Sequence, residues 1–322
     1  MADVITVTSG SAGQAGSINA DMITFMSATV LDVAERNTIL KQFGDVLPLP
    51  GNSSKTIRIT RQEKFAVDAT PNQLTEGIPP EAQGLVINYV EATAEQYGFL
   101  VRISDLAELV AAHNIVQRTM YILGLHAAEV YDQLIFNVLD DGTTIYLPNS
   151  RAAVTDLVAS DLIGYNDLVR LEADLMDNGA RPLDGGMYVY VIPPQVYGGL
   201  LKDPDWKASH QLRDPESIWR GEVGSLGGLA VVRSNAPGFA FQAQATSAKT
   251  NKWYFGFALG RQAYSITDLQ GLQVYTIAPG GHEDPLYQNR KISYKFAFKA
   301  LILNNDWMIV TKSSGLNSTN NP

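Results

Sequence analysis

Cysteine is absent from this chain of 322 residues, which excludes disulfide bonds, thiolate metal sites and a cysteine nucleophile. Charge is also scarce, since charged residues make up 18% of the chain against about 25% in typical domains. Lysine and arginine form no runs, and 24 of them stand against 33 acidic residues, a formal net charge of −9. Bulk nucleic acid would repel such a chain, and its low charge content fits a surface largely covered by partners.

Long hydrophobic runs are missing as well. The sequence contains no apolar stretch of about 18 residues, the length that a membrane-spanning helix needs. Its N-terminus has neither the cationic start nor the apolar segment of a signal peptide. We therefore expect a protein that is not secreted and does not cross a membrane. Hydrophobic residues still reach 45%, so the chain is not a disordered tail and can bury a sizeable core.

The N-terminal third of the chain predicts an arm and a ribbon. Residues 1–17 are rich in small and polar residues, and an amphipathic helix follows from about Asn19. Alternating apolar and polar residues then predict one strand over Lys55–Arg61 and a long second strand over Leu85–Ile103, joined by a polar, proline-rich tip. Because a lone two-stranded ribbon is marginally stable in water, this one must rest on its own domain or on a neighbouring subunit.

A long helix dominates the middle of the chain. Asp105 begins a helical pattern with Glu108 as a capping-box partner, and a break follows near Asn114. Apolar residues then recur every three or four positions; they are Val116, Met120, Leu123, Ala127, Val130, Leu134 and Val138. The spacing predicts one helix over 114–140, roughly 40 Å long, which would serve as a spine.

Shorter elements follow the spine. A helix is predicted over Tyr165–Asn178, a short helix after Pro193, and a closing hairpin of Lys291–Leu303 with Trp307–Lys312, turning at Asn304. Further strands are predicted over Met187–Ile192, Leu229–Arg233 and Trp253–Leu259. If the closing strands pack on the spine helix, the segment between them is an inserted α/β lobe. The predicted fold class is α+β.

Three patterns could indicate a nucleotide-binding, metal-binding or catalytic site. For each of them we favour a purely structural role. Gly221, Gly224, Gly227 and Gly228 lack the spacing and the following helix of a nucleotide-binding loop. His126 with Glu129 resembles half of a helical metal motif, but none of the other three histidines forms such a pair.

The stretch His282–Asp284 places adjacent side chains on opposite faces of a strand, so a turn is favoured over acid–base chemistry. The four tryptophans are expected in the core rather than in a ligand pocket. We therefore predict no catalytic residue, no cofactor and no metal site.

Several short motifs, in a fixed order from about residue 20 to 312, resemble one known family. In the ribbon and spine they are Leu74–Gly77, Gln96–Phe99, Ser104–Asp105, Gly124, Ala127–Ala128, Asp132, Asn137–Leu139 and Gly142–Thr144. Further along they are Ile192–Pro194, Gly221–Gly228, Asp284–Gln288, Ser293–Phe296 and Ala300–Asn304. The chain resembles the major capsid proteins of tailed bacteriophages with the Hong Kong 97 type shell fold, in the branch of short-tailed phages.

The resemblance implies a set of named parts. Residues 1–43 would form the N-terminal arm and helix, and 44–103 the extended β-ribbon loop lying across a neighbouring subunit. Residues 104–159 with 276–322 would form the peripheral domain of spine helix and closing strands. Residues 160–275 would form the inserted α/β axial domain, which meets its copies at the centres of capsomers.

The resemblance also implies partners. The shell would be icosahedral, built from hexamers and pentamers of the chain and assembled in the cytoplasm of the bacterial host. A portal protein would occupy one vertex, and packaged DNA would be enclosed without sequence-specific binding. Only about twenty polar residues precede the first predicted helix, so a separate scaffolding protein is expected; a decoration protein is compatible with the resemblance.

The candidate site residues lie on the ribbon. Arg58, Arg61 and Lys64, with Glu76 and Glu81 on the tip, are the expected contacts between subunits, where the cations would meet an acidic patch of the next copy. Their alternative is an ordinary solvated strand face. Two other function classes stay open: an α/β enzyme built on residues 160–260, and a surface-array protein.

Overall fold

The computed structural model describes residues 28–34, 38–47, 55–62, 76, 84–85, 87–111, 114–183, 185–206, 225–234, 253–277 and 284–316. The chain divides into two compact units. Unit 1 contains 1–38, 96–130 and 270–297, and unit 2 contains 39–95, 131–269 and 298–322. In the described ranges, no helix has both the length and the apolar character needed to span a membrane.

The helices follow the predicted pattern closely. They are α1 (28–34), α2 (Asp105–Val110), α3 (Ile115–Asp140), α4 (Tyr165–Asp177) and α5 (Pro194–Leu200). The long spine helix is therefore confirmed as α3. The capping residue of α2 is Ser104, whose side chain accepts a hydrogen bond from the N–H of Ala107, and not Asp105 as the capping-box pattern predicted.

The strands form three sheets within the described ranges. They are β1 (Asp45–Val46), β2 (Thr56–Gln62), β3 (Ile87–Thr93), β4 (Glu95–Ser104), β5 (Ile145–Tyr146), β6 (Tyr188–Ile192), β7 (Ser225–Leu226), β8 (Leu229–Arg233), β9 (Trp253–Leu259), β10 (Tyr264–Ile277), β11 (Asn289–Ile302) and β12 (Met308–Ser314). The orders are β1-β10-β11-β4, β5-β12-β9-β6-β8-β7, and the pair β2-β3. The ribbon is this antiparallel pair.

Two strand predictions were wrong in detail. The long second strand over Leu85–Ile103 is two strands, because the buried Ala94 interrupts it and its N–H donates to the carbonyl of Lys55. Only β3 pairs with β2, whereas β4 joins another sheet.

The predicted closing hairpin does not exist either. The strand β12 pairs with β5 and β9 instead of β11. A short 3-10 turn over Asn305–Trp307 separates β11 from β12, and β12 is buried along most of its length. A strand with both faces covered fits the interior of a sheet better than an edge hairpin.

In unit 1, the helices α1 and α3 pack closely against each other. A Cβ atom at Gly124 of α3 would lie 2.9 Å from the Cβ of Val33 and 3.0 Å from the carbonyl oxygen of Val30, both in α1. Val30 and Val33 are buried. Glycine thus lets the two helix backbones come closer than any other residue would allow.

Unit 2 has a larger apolar core around the six-stranded sheet. Helix α4 contributes Leu168, Leu171 and Leu175, which are all fully buried and share one face. Burying each leucine contributes about 1.5–3 kcal/mol relative to leaving it exposed. Trp206 is buried in the same cluster and Trp307 packs against it, as predicted for the tryptophans.

Candidate assembly surfaces

The ribbon has one covered face and one open face. Ile57 and Ile59 of β2 lie on the same face as Val90 and Ala92 of β3, and these four side chains are buried or half-buried. The opposite face carries exposed residues, which we call the outer face: Arg58, Thr60, Ile87, Tyr89 and Glu91. Strand periodicity explains the division, since alternate side chains point to opposite faces.

Arg58 organises the outer face. Its Nε donates a hydrogen bond of 2.7 Å to Oε1 of Glu91, its direct cross-strand neighbour. The same guanidinium lies over the ring of Tyr89, 4.3 Å from the centroid. Glu91 neutralises the charge of Arg58 within the chain, and Tyr89 supports it through a cation–π contact.

Of the remaining predicted contact residues, only Glu76 has a described side chain. Glu76 is exposed in a turn. Arg61 lies in β2, but its side chain is outside the part of the chain that the structure describes, and so are Lys64 and Glu81. Their role in subunit contact stays a prediction.

A second surface in unit 1 was not predicted. The three large apolar side chains of α2, Leu106, Leu109 and Val110, are at least two thirds exposed, and α2 buries no residue. Leu286 and Tyr287 are also largely exposed. We call these five residues the apolar platform. Sequence patterns missed it because apolar residues in a helix usually indicate core.

The loop before β11 is held in a defined conformation. The buried carboxylate of Asp284 accepts hydrogen bonds from the N–H groups of Gln288, at 3.0 Å, and Asn289, at 2.7 Å. Tyr287 adopts a left-handed backbone conformation, with φ of 59°, which is uncommon for a residue with a side chain. The carboxylate thus fixes a turn that presents Leu286 and Tyr287 to solvent.

Two contacts join this loop region to α2. The N–H of Asp105 donates to the carbonyl of Gln288 at 2.9 Å. The Nε of Arg290 lies 3.3 Å from Oε2 of Glu108, and the Arg290 side chain is largely buried. These two contacts connect the two parts of the platform, α2 and the turn that carries Leu286 and Tyr287, into one surface.

The sheet face between β4 and β11 carries an open groove of about 440 Å³. Its aromatic lining residues are Tyr97, Phe99, Tyr275 and Tyr294. His126, the candidate metal ligand, lies beside it: a hydrogen bond of 2.8 Å joins its Nδ1 to the hydroxyl of Tyr294, and its ring contacts Phe99. Burial raises the pKa of Tyr294 to about 12.

Asp132, another polar residue of α3, is almost fully buried in unit 2. Its carboxylate accepts hydrogen bonds of 3.1–3.2 Å from the N–H groups of Ile39 and Leu40. Desolvation raises the pKa of this carboxyl to about 6, although the two backbone donors oppose the shift. Asp132 therefore anchors the segment that follows the N-terminal helix to α3.

The glycine-rich stretch has a structural role where it can be seen. Gly227 and Gly228 form the turn between β7 and β8, and the N–H of Gly228 donates to Oε1 of Glu172 at 2.8 Å. A carboxylate at this turn would repel a phosphate, which supports a structural loop. Gly221, Gly224, His282, Glu283 and Trp219 lie outside the described residues.

No cluster of three or more His, Asp or Glu side chains suited to a metal occurs among the described residues. Where polar side chains of the candidate sites are seen, they bind the chain's own groups. The buried carboxylate of Asp161 is one example: it accepts from Asn149, Arg151 and the N–H of Val158, which together lower its pKa despite its burial.

A family model described as phage capsid protein matches residues 88–313 of the chain. None of the curated proteins that were compared with the chain matches it.

Solved structures give the same fold at low identity. The capsid protein of cyanophage Pam1 superposes with a TM-score of 0.65 at 12% identity, covering 98% of this chain and 100% of that one. The capsid of cyanophage P-SCSP1u gives a TM-score of 0.63 at 17% identity, covering 86% and 88%. A virus-like particle from Pyrococcus furiosus gives 0.54 at 13%, covering 91% and 100%. The α+β capsid-shell fold expected from the sequence is thereby confirmed.

Proposed function

Because the chain belongs to the phage capsid protein family and is a structural protein of a virion shell made of many copies of itself, we propose that its ribbon ties neighbouring copies together. The observation that carries this proposal is the open outer face of the ribbon. Ile87 and Tyr89 are more than half exposed on a two-stranded sheet. Such a sheet is marginally stable alone and gains most from a partner that covers this face.

We further propose the division of labour along the chain. Residues 160–275 form the axial domain, 104–159 with 276–322 the peripheral domain, 44–103 the ribbon and 1–43 the arm and first helix. The axial part of this proposal is supported by β6 to β9, which all come from 160–275 and are neighbours in the six-stranded sheet of unit 2. Strand β12 reaches into the same sheet from the peripheral segment.

The proposal includes partners beyond the chain itself. We infer hexamers and pentamers as the assembly units, a separate scaffolding protein, a portal protein at one vertex and a decoration protein as an optional addition. The genome is enclosed without sequence-specific contacts, which fits the net charge of −9. Assembly takes place in the cytoplasm of the bacterial host.

We also propose that the chain catalyses no reaction. In its described part, His126, Asp132 and Asp161 hydrogen-bond to groups of the same chain in a way that explains their positions structurally. A stoichiometric transition metal retained after dialysis would contradict this proposal. So would a substrate whose turnover disappears in His126→Ala.

Negative-stain microscopy of the protein expressed with its scaffolding partner tests the main proposal. We expect rings, capsomers or closed shells. The matched comparison is the same protein with Ile87 and Tyr89 changed to serine, which should fold but form fewer shells. A species that stays monomeric in every assembly condition, scaffold included, would overturn the proposal.

A further inference from the structure

We propose that the open groove on the sheet face of β4 and β11 is a docking site for an acidic segment of a second protein, one that carries an apolar side chain among its carboxylates. Leu100 and Tyr275 receive the apolar side chain, and Arg102 and Lys295 receive the carboxylates. This inference goes beyond the proposed function, which assigns no partner to this face of the sheet.

The shape of the groove depends on a glycine. Gly98 of β4 lines the groove, and a Cβ atom at this position would lie 2.8 Å from the carbonyl oxygen of Tyr294 and 3.8 Å from the Cβ of Lys295. Any larger residue would collide with the backbone of β11, so the space above the two strands stays open. Its volume of about 440 Å³ is large enough to hold a few side chains of a partner.

The walls of the groove are partly exposed apolar side chains. Phe99 and Leu100 of β4 are 46% and 53% exposed, and Tyr275 of β10 is 45% exposed. The strand β11 lies between β4 and β10, so the two walls stand on either side of it. Apolar side chains that are grouped on a folded surface in this way mark a site of interaction.

Tyr275 is held in position by its own strand. Its hydroxyl donates a hydrogen bond to Oε1 of Gln273, which also accepts one of 2.7 Å from Nε2 of Gln270. A side chain that is already fixed loses little conformational freedom when a partner binds, which favours affinity. Because the hydroxyl is engaged, the Tyr275 ring offers mainly its apolar faces to the groove.

Two cations border the apolar walls. Lys295 lines the groove, and Arg102 lies two residues beyond Leu100 on the same face of β4. Neither side chain forms an ion pair with a carboxylate in the part of the chain that the structure describes, whereas Arg290 is paired with Glu108. The groove is therefore a local positive site on a chain whose net charge is −9, and an acidic partner is electrostatically complementary to it.

A short acidic segment of a protein fits the groove better than DNA does. Non-specific binding of DNA relies on many phosphate contacts, and two cations supply few of them. The rest of a chain with a net charge of −9 would also repel the other phosphates of a duplex. The apolar walls have no counterpart on a phosphate backbone, but they match a leucine or an aromatic ring. A second copy of the chain would bring its own charge of −9, so a separate protein is the better fit.

Fluorescence anisotropy on the purified full chain tests the site. The probe is a fluorescein-labelled peptide in which glutamates flank a leucine and a tryptophan. We expect saturable binding that weakens as salt is added. The double variant Arg102→Glu with Lys295→Glu should weaken binding by about tenfold, because two attractive charge pairs become repulsive. Leu100→Ser should weaken it by about fivefold, because less apolar surface is then buried.

The matched control reverses two exposed cations outside the groove, Arg118→Glu with Lys202→Glu, and so makes the same change in net charge. It should leave peptide binding unchanged. A second peptide, with glutamine in place of each glutamate, should bind at least tenfold more weakly than the acidic one. All variants should fold and still form shells, since none of the altered side chains is buried. Arg102→Gln with Lys295→Gln replaces the double reversal if that variant does not fold.

Absence of saturable peptide binding would overturn the inference, and so would a groove variant that binds as tightly as the control. Equal binding of the glutamine peptide would show that charge is not recognised, and tighter binding of a DNA duplex at the same residues would assign the groove to nucleic acid. A groove variant that folds but no longer forms shells would also overturn it, because the occupant would then be another copy. Failure of the unmodified chain to form shells would instead contradict the proposed function.

Discussion

The guanidinium group of Arg58 pairs with the carboxylate of Glu91 directly across the two strands of the ribbon. Arg58 was expected to meet an acidic patch of the next subunit. In the structure its charge is satisfied within the ribbon, where it also covers part of Tyr89. The two roles can be separated by mutation. Contact with an acidic patch of the next subunit requires a positive charge at position 58. Pairing within the ribbon requires only opposite charges at positions 58 and 91.

A charge swap distinguishes these roles. We expect Arg58→Glu alone to weaken assembly, because it places two carboxylates opposite each other, with a cost of about 0.2–1 kcal/mol per ribbon. The double variant Arg58→Glu with Glu91→Arg should restore assembly yield if pairing is what matters. The measurement is shell yield by sedimentation at low and at moderate salt. A double variant as defective as the single one would show instead that Arg58 contacts an acidic group elsewhere.

Asp132 should make the stability of the free subunit depend on pH. Its pKa is about 6 in the folded chain and 3.8 in the unfolded one, so the folded state binds the proton more tightly. The free energy of unfolding should therefore rise as pH falls from 6 towards 4, by on the order of 2 kcal/mol. Urea denaturation at several pH values measures this.

Asp132→Asn is the matched control for that experiment. The amide has the same shape, is neutral, and its oxygen can still accept from Ile39 and Leu40. The pH dependence between 4 and 6 should disappear in this variant. Tyr264 interacts electrostatically with Asp132, but burial raises the pKa of its hydroxyl well above its ordinary value, so it stays protonated in this pH range. A slope that persists in Asp132→Asn would contradict its assignment to Asp132.

Gly227→Ala should destabilise the free subunit by about 1–2 kcal/mol. Its φ of 56° lies in the left-handed region, and an added Cβ would lie 2.5 Å from Oε2 of Glu172. Gly271→Ala is the control, since its Cβ would meet nothing within 4 Å. Thermal unfolding gives both values. Repeating Gly227→Ala in a Glu172→Ala background separates the backbone cost from the clash.

Phe136→Ala should be among the most damaging substitutions in α3. The ring is buried and makes edge contacts with Phe255, at 5.3 Å, and Phe257, at 5.5 Å between centroids. Loss of such a ring costs about 3–5 kcal/mol. Tyr121→Ala, at an exposed position of the same helix, should change the free energy of unfolding by less than about 1 kcal/mol. Similar losses in both variants would contradict the assigned burial.

The helix α3 shows how far the sequence predicts the fold. Its bounds were predicted within one residue, and the apolar stripe is buried from Val116 to Ala127. Beyond that point the stripe was assigned to the wrong positions, because Tyr131, Asp132 and Ile135 are buried instead of Val130 and Leu134. The sequence pattern did not identify the buried face because it carries the charged residue Asp132, whose burial is explained by the backbone donors of Ile39 and Leu40.

Pairing between distant strands was the least predictable feature. The strands β8 and β9 were predicted to the residue from local composition. Which partner each strand takes depends on contacts far apart in sequence, so β11 and β12 were wrongly joined. The apolar platform was missed for a related reason, because an exposed apolar residue looks the same in sequence as one in the core.

The position of β12 has a consequence for synthesis of the protein. It lies between β5 and β9 in the six-stranded sheet, yet it follows every other strand of that sheet in the chain. On the ribosome, the sheet therefore stays split until residue 314 has emerged, and a prematurely terminated product would expose the unpaired edge of β9. Growing chains thus lack a finished sheet, which favours folding of this sheet after translation.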